Sequence, residues 1–192
     1  GSPAAPSISS ANRKPSVYHS PTRQWFASFA GTYDFIDNGA LNSDKRVMWL
    51  YNATGVPPAV STPKVGAGSV YPMVARDSKG EYLDGGNTYS VTLPAPIPVN
   101  NFWAFTVYDG QTRSLLETDQ RSAGVDSNNT DIKANADGSY TVYFGPKAPE
   151  GKASNWVQTM PGKSYFVFMR LYGPLEPWFD KTWKPGDFEK LN

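Results

Sequence analysis

Nine residues near the C-terminus, Ser164 to Tyr172 (SYFVFMRLY), constrain the fold more than any other stretch. They contain no Gly or Pro, and aromatic and apolar side chains dominate them. As a strand, the run places Tyr165, Val167, Met169 and Leu171 on one face and Phe166, Phe168, Arg170 and Tyr172 on the other. A strand that is apolar on both faces belongs in the middle of a sheet covered on both sides, or in a sandwich. Arg170 is its single charge. An unpaired buried guanidinium is too costly, so Arg170 is expected to find a carboxylate or a carbonyl cluster, with a ligand as the alternative.

The rest of the chain supports a β fold. Of 192 residues, 14% are aromatic, and 17 Gly with 17 Pro supply frequent turns. The net charge of +1 and the lack of a basic stripe interleaved with aromatics exclude nucleic acid as an expected partner. No apolar run reaches the length of a membrane span. With no cysteine and one histidine, thiolate chemistry, disulfides and multi-histidine metal centres are excluded, and no cofactor is expected.

Residues 1–19 are small, polar and Pro-rich and read as a flexible arm, with Gly1-Ser2 a cloning scar and His19 at its end. Residues 20–60 read as a helical connecting segment of two short helices. Ser20-Pro21 starts the first, with Trp25, Phe26, Phe29 and Tyr33 as an aromatic stripe. Ser43-Asp44 starts the second, carrying Val47, Met48, Leu50 and Tyr51 and ending at Gly55 and Pro57-Pro58. The pair reads as a docking hairpin. Residues 61–192 read as a β domain, with strands over 69–76, 88–93, 101–109, 139–145 and 164–172. A strand over 112–117 returns from the Asp109-Gly110 turn, 119–137 is a polar loop with at most one weak strand, and the tail 178–188 laps over a sheet face. This count suggests a jelly-roll type β-sandwich, with a barrel as alternative.

Few residues carry recognisable chemistry. There is no G-x-S-x-G elbow, P-loop or dinucleotide fingerprint. Asn135 to Ser139 has the oxygen density of part of a calcium loop but lacks its frame, so a turn is the reading. Asp109, Glu117, Asp119, Asp126 and Asp131 crowd one region, where a pair could serve glycosidic acid–base chemistry. Arginines beside tryptophans and tyrosines suit sugar or carboxylate ligands. The candidate ligand-binding surface is Asp109, Arg113, Asp119, Arg121 and Trp156.

The phrases YLDGGNTYSVTLP, NFWAFTVYDGQTRSLLETDQ, NADGSYTVYFGPKAPEG, NWVQTMPGKSYFVFMRLYGP and FDKTWKPGDFE closely resemble the domain of unknown function 1214, over about residues 31–189. The resemblance implies a jelly roll that normally follows an N-terminal domain of unknown function 1254, in largely bacterial proteins, some of them exported. It brings no catalytic residues. The expected function is binding of a glycan or small carboxylate, or subunit assembly with an N-terminal domain or a second copy. The alternative is the C-terminal half of a hydrolase with its site at the domain junction. A periplasmic or secreted location is slightly favoured.

Overall fold

The computed structural model describes residues 19–27, 35–44, 46–47 and 64–191. The stretch that opens the sequence argument is the centre of the molecule. Strand β11 (Tyr165–Tyr172) pairs antiparallel with β7 (Trp103–Asp109) along seven residue pairs, from Tyr165↔Asp109 to Leu171↔Trp103. On its other side lie β4 (Ser69–Val70) and β5 (Pro72–Val74) in one shared register, with Leu171↔Val70 and Val167↔Val74. The expected strand over 69–76 is thus one line cut in two, because Pro72 has no N–H to give the ladder. Two edge strands, β1 (Phe26–Ala27) on β5 and β8 (Gly124–Asp126) on β7, complete this sheet.

A second sheet has the order β10 (Trp156–Gln158), β9 (Tyr140–Gly145), β6 (Tyr89–Leu93), β12 (Glu189–Lys190). Its β9–β10 pair is parallel, which departs from the antiparallel pairing of a jelly roll. The inner side chains of both sheets form one core, in which Phe105, Val107, Val167 and Met169 meet Val91, Val142, Phe144 and Val157. Over the described residues the chain is therefore mainly β, with two larger sheets around a common core, a two-residue ladder of β2 (Ile36–Asp37) with β3 (Ala40–Leu41), and very little helix, including the four-residue α1 (Glu176–Phe179).

Of the pair of helices expected over 20–60, the first does not form where the structure describes it. Ser20-Pro21 opens a turn, with the Arg23 N–H donating to the Ser20 carbonyl, and the chain then enters β1. Trp25 lies in the main core, whereas Phe26 lies in a separate cluster with Met73 and Phe166 on the outer face of the large sheet. Burying adjacent aromatics on opposite faces is the period of a strand, and it overrides the helical spacing of the stripe. Further on, Asn38 and Gly39 both hold positive φ (52° and 79°) between β2 and β3, the conformation of a type I′ hairpin turn. Ser43, Asp44, Arg46 and Val47 are helical. Phe29, Tyr33, Met48, Leu50, Tyr51, Gly55, Pro57-Pro58 and the arm up to residue 18 lie outside the described residues.

The tail does lap over the core, and it clasps the N-terminal segment. Phe188 is fully buried between the sheets, and the Trp183 Nε1–H donates to the Pro94 carbonyl (2.9 Å). The Trp25 Nε1–H donates to the Gly186 carbonyl (2.7 Å) and the Gln24 N–H to Asp187 Oδ1 (2.9 Å). His19 is buried, not free at the end of an arm. Its ring stacks on Trp178 at 3.9 Å, and Nε2 lies 3.2 Å from the Trp183 carbonyl. Burial lowers its pKa, and Lys181 and Lys184 act in the same sense against the Trp183 carbonyl. Trp25→Ala should open both core and clasp, with a loss of about 3–5 kcal/mol measured by chemical denaturation. A loss under about 1 kcal/mol would mean that the N-terminal segment is dispensable to the fold.

Candidate functional site

The outer face of the large sheet holds a groove of about 840 Å³. Its floor is set by register. Side chains of β11, β7 and β8 lie in rows across the sheet, one row being Arg170, Ala104 and Asp126, the next Phe168, Thr106 and Gly124. Ala104, Thr106 and Gly124 are small, so the sheet is hollow between bulkier neighbours. To one side, Phe102 stacks on Tyr172 with ring centres 4.1 Å apart and planes 17° from parallel. To the other, Tyr108 stacks on Phe166 at 5.3 Å. The wall is the return segment after β7, from which Leu115, Glu117 and Arg121 border the groove.

That return segment is expected to pair as a strand over 112–117. It keeps an isolated bridge, Tyr108↔Leu115, and a Leu116 N–H to Val107 carbonyl bond (3.0 Å). Leu116 is buried while Leu115 stays exposed. The loop beyond it contains the one weak strand anticipated there, β8.

Arg170 is the charged group of the floor. Its Nη2–H donates to the Tyr108 hydroxyl (2.8 Å), it also hydrogen-bonds Tyr172, and its guanidinium lies 5.8 Å from the Tyr71 ring centre. Among the described residues no carboxylate comes within ion-pairing distance of it, and its buried Nε–H has no acceptor. The carboxylate partner expected for Arg170 is therefore replaced by neutral phenols. These take only part of a guanidinium's five N–H donors. Tyr172 is held neutral well into alkaline solution: burial raises its pKa, the neighbouring Tyr71 adds to this, and Arg170 opposes it.

Comparison with known proteins identifies the chain by sequence and by fold. The model of the family described as "Protein of unknown function (DUF1214)" matches residues 68–176, more than half of the chain. The chain belongs to this family. No curated protein matches it. Among solved structures it is similar to the VPA0106 protein from Vibrio parahaemolyticus, with a TM-score of 0.59 and 23% identity over 90% of this chain. An uncharacterized protein from Burkholderia cenocepacia aligns over 76% of this chain and 39% of its own, with a TM-score of 0.43 and 17% identity. The chain spans 40% of the length of the Vibrio protein. The DUF1214 match runs from β4 to the first residue of α1 and so includes every strand of the groove.

Within the DUF1214 domain the five residues singled out by sequence go to different places. Arg121 lines the groove and is exposed, with no hydrogen bond or ion pair among the described residues. Asp109 is buried at the end of β7, on the core side, where it accepts the N–H groups of Gln111 and Thr112 and the Lys163 ammonium. Arg113 sits in the following turn with φ 63°, its N–H donating to the Asp109 carbonyl. Asp119 is exposed and accepts from Gln158 Nε2 (3.2 Å). Trp156 belongs to the second sheet, with its Nε1–H on the Gly145 carbonyl (2.9 Å). The residues that shape the groove beside Arg121 are Phe102, Ala104, Tyr108, Asp126, Arg170 and Tyr172. Of these, the sequence marked Arg170 as a lone charge and Asp126 as one of a crowd of carboxylates, and the others meet only through register.

The polar cluster at Asn135 to Ser139 ties a turn. Asp137 and Gly138 make the expected turn into β9, with Asp137 Oδ1 accepting the Ser139 N–H (3.0 Å) and hydroxyl (2.6 Å). Among the described residues no group of three or more His, Asp or Glu could hold a metal ion, and no helix is long and apolar enough to cross a membrane.

Asp109 offers a pH test. Burial alone would raise its pKa, but Lys163 and the two turn N–H groups outweigh it and hold the carboxyl at about 2, against an ordinary 3.8. A depressed folded-state pKa stabilises above the unfolded value and is lost as pH falls through the folded one. The effect is at most about 2 kcal/mol, since Lys163 is half exposed and salt-screened. Asp109→Asn should therefore be less stable than the parent at pH 6, and the gap should close between about pH 4 and pH 2. A gap constant across that range in urea titrations would show that the turn N–H bonds alone matter.

Proposed function

We propose that the outer-face groove binds a small organic carboxylate, and that the domain is a binding module. The observation that carries this is Arg170: a guanidinium on the groove floor with an unaccepted Nε–H, phenol partners only, and Arg121 unpaired at the rim. A carboxylate supplies the paired acceptors that a guanidinium fork fits. A neutral glycan could use the Phe102–Tyr172 shelf but would leave the charge unmatched. The jelly-roll character of the two-sheet body, an N-terminal partner domain and a bacterial host belong to this reading through the family resemblance. The hydrolase alternative gains little from Asp109. A carboxyl held at about 2 is ionised at neutral pH and cannot serve as a general acid.

The test is titration calorimetry with 3-phenylpropionate and a neutral disaccharide. The carboxylate should bind and the disaccharide should not, with an affinity that falls as salt rises. Arg170→Met should weaken binding about tenfold or more. It should change stability by less than about 1 kcal/mol, because it removes a buried unsatisfied donor and leaves neutral hydroxyls behind. A loss of several kcal/mol with binding intact would make Arg170 a structural residue.

A second reading, association through the same face, is favoured by the aromatic patch that continues beyond the groove. Phe168 and Tyr108 are half-exposed beside the Phe26, Met73 and Phe166 cluster. Sedimentation of Phe168→Lys against the parent separates the two. A dimer lost on substitution supports assembly, and a monomer in both leaves ligand binding alone.

A further inference from the structure

The row that places Arg170 on the groove floor also places an anion opposite it. Arg170 lies across from Ala104, and Ala104 across from Asp126, on the same face of three adjacent strands. Ala104 and Asp126 are half-buried outward positions, alternating with the buried Phe105 and Val125. Two strand spacings separate the Arg170 and Asp126 backbones by about 10 Å, with only the Ala104 methyl between them. The two charges do not pair. Asp126 gives Oδ1 to the Asn128 N–H (2.9 Å), and no hydrogen bond or ion pair involves its Oδ2. Glu117, exposed on the groove wall, has no hydrogen bond or ion pair among the described residues. The groove is thus polarised, with Arg170 and Arg121 as cations and Asp126 and Glu117 as anions.

A simple carboxylate satisfies one half of this arrangement and meets the other half as like charge. From the groove's reading as a carboxylate site, we infer that its ligand is a zwitterion of the α-amino acid class. Its carboxylate lies on Arg170 and its ammonium toward Asp126, with Glu117 adding to the negative field. In an α-amino acid the charged groups are about 3 Å apart, and with a hydrogen bond of about 2.8 Å at each end one ligand bridges a cation and an anion roughly 8–9 Å apart, of the same order as the two strand spacings between the Arg170 and Asp126 backbones. The Phe102–Tyr172 stack borders the same row, since Phe102, just before β7, and Tyr172 are each two residues along the chain from Ala104 and Arg170. It gives the side chain an aromatic shelf, so the ligand is an amino acid with an apolar or aromatic side chain.

Calorimetric titration of the whole chain with L-phenylalanine, 3-phenylpropionate and 2-phenylethylamine tests the inference, because the last two each lack one charge. L-Phenylalanine should bind at least about tenfold tighter than either, the worth of one charge-assisted hydrogen bond. Asp126→Asn keeps an oxygen for the Asn128 N–H and should cut the advantage over 3-phenylpropionate to about twofold or less. If 3-phenylpropionate binds as well as L-phenylalanine, the zwitterion inference falls and the carboxylate reading stands. If 2-phenylethylamine binds as well as L-phenylalanine, or if no carboxylate binds in a manner sensitive to Arg170→Met, both fall.

Discussion

The structure depends on β11 being paired along both edges and covered along the whole of its inner face. Its inner residues, Tyr165, Val167, Met169 and Leu171, are fully buried against the second sheet. The hydrophobic gain of such a strand is large, at roughly 1.5–3 kcal/mol for each buried apolar side chain. Its backbone can be buried only because β7 pairs on one side and β4 and β5 on the other, which satisfies both ladders. Everything else follows from covering that sheet. The second sheet and the tail residues Trp183 and Phe188 cover the inner face, and β1 with Met73 and Phe166 covers one end of the outer face. The other end of the outer face is left concave, and there the strand carries its only charge.

Parts of this architecture could be read from residue patterns alone. The strands 88–93, 101–109, 139–145 and 164–172 are plain in the sequence because their alternation or continuous apolarity matches burial in two sheets. The misread segment is instructive. Trp25, Phe26, Phe29 and Tyr33 fit a helical stripe by spacing, but the N-terminal residues join a sheet edge, and tertiary burial of Trp25 and Phe26 on opposite sides outweighs local period. A stronger local signal lay nearby in Asn38-Gly39, the dipeptide whose tolerance of positive φ makes hairpin turns. Asp137-Gly138 was the more conspicuous turn, yet the strand that follows it pairs with β6 and with the later β10. Turn chemistry fixes where a chain bends, while pairing partners are fixed by long-range burial.

The candidate site was legible only in part for the same reason. Arg170 stands out in the sequence as a charge in an apolar strand, and Arg121 as a cation in a polar loop. Ala104 carries no local mark, and Asp126 is only one of five carboxylates crowded into 109–131. The two acquire meaning only when β7 lies beside β11 and β8 beside β7 in one register. A shift of one residue in either ladder would turn Ala104 or Asp126 into the core and abolish the groove floor. Asp109 shows the converse. It is conspicuous in sequence at the end of an aromatic strand, but it lies on the inner side of the same strand that carries Ala104 and Tyr108 outward.

Asp109 and Arg170 show what separates an anchor from a candidate site when both are charged groups on paired strands. Asp109 is almost completely desolvated, and its cost is offset by two backbone N–H groups and an ammonium, enough to hold its pKa near 2. Nothing is left over for a ligand. Arg170 is only partly desolvated and is surrounded by groups that accept weakly, the hydroxyls of Tyr108 and Tyr172 and the face of Tyr71. Tyr71 itself receives the Ser69 hydroxyl (2.9 Å), which turns one phenol of the cluster toward its own strand. The phenols fix the orientation of the guanidinium without neutralising it, and the high pKa of Tyr172 keeps that phenol from becoming a counter-ion. Placing a carboxylate beside Arg170 in the fold would satisfy it as Lys163 satisfies Asp109. The chain instead sets the outward carboxylate on that row, Asp126, beyond the Ala104 methyl and two strands away, where the two charges face a common space without pairing.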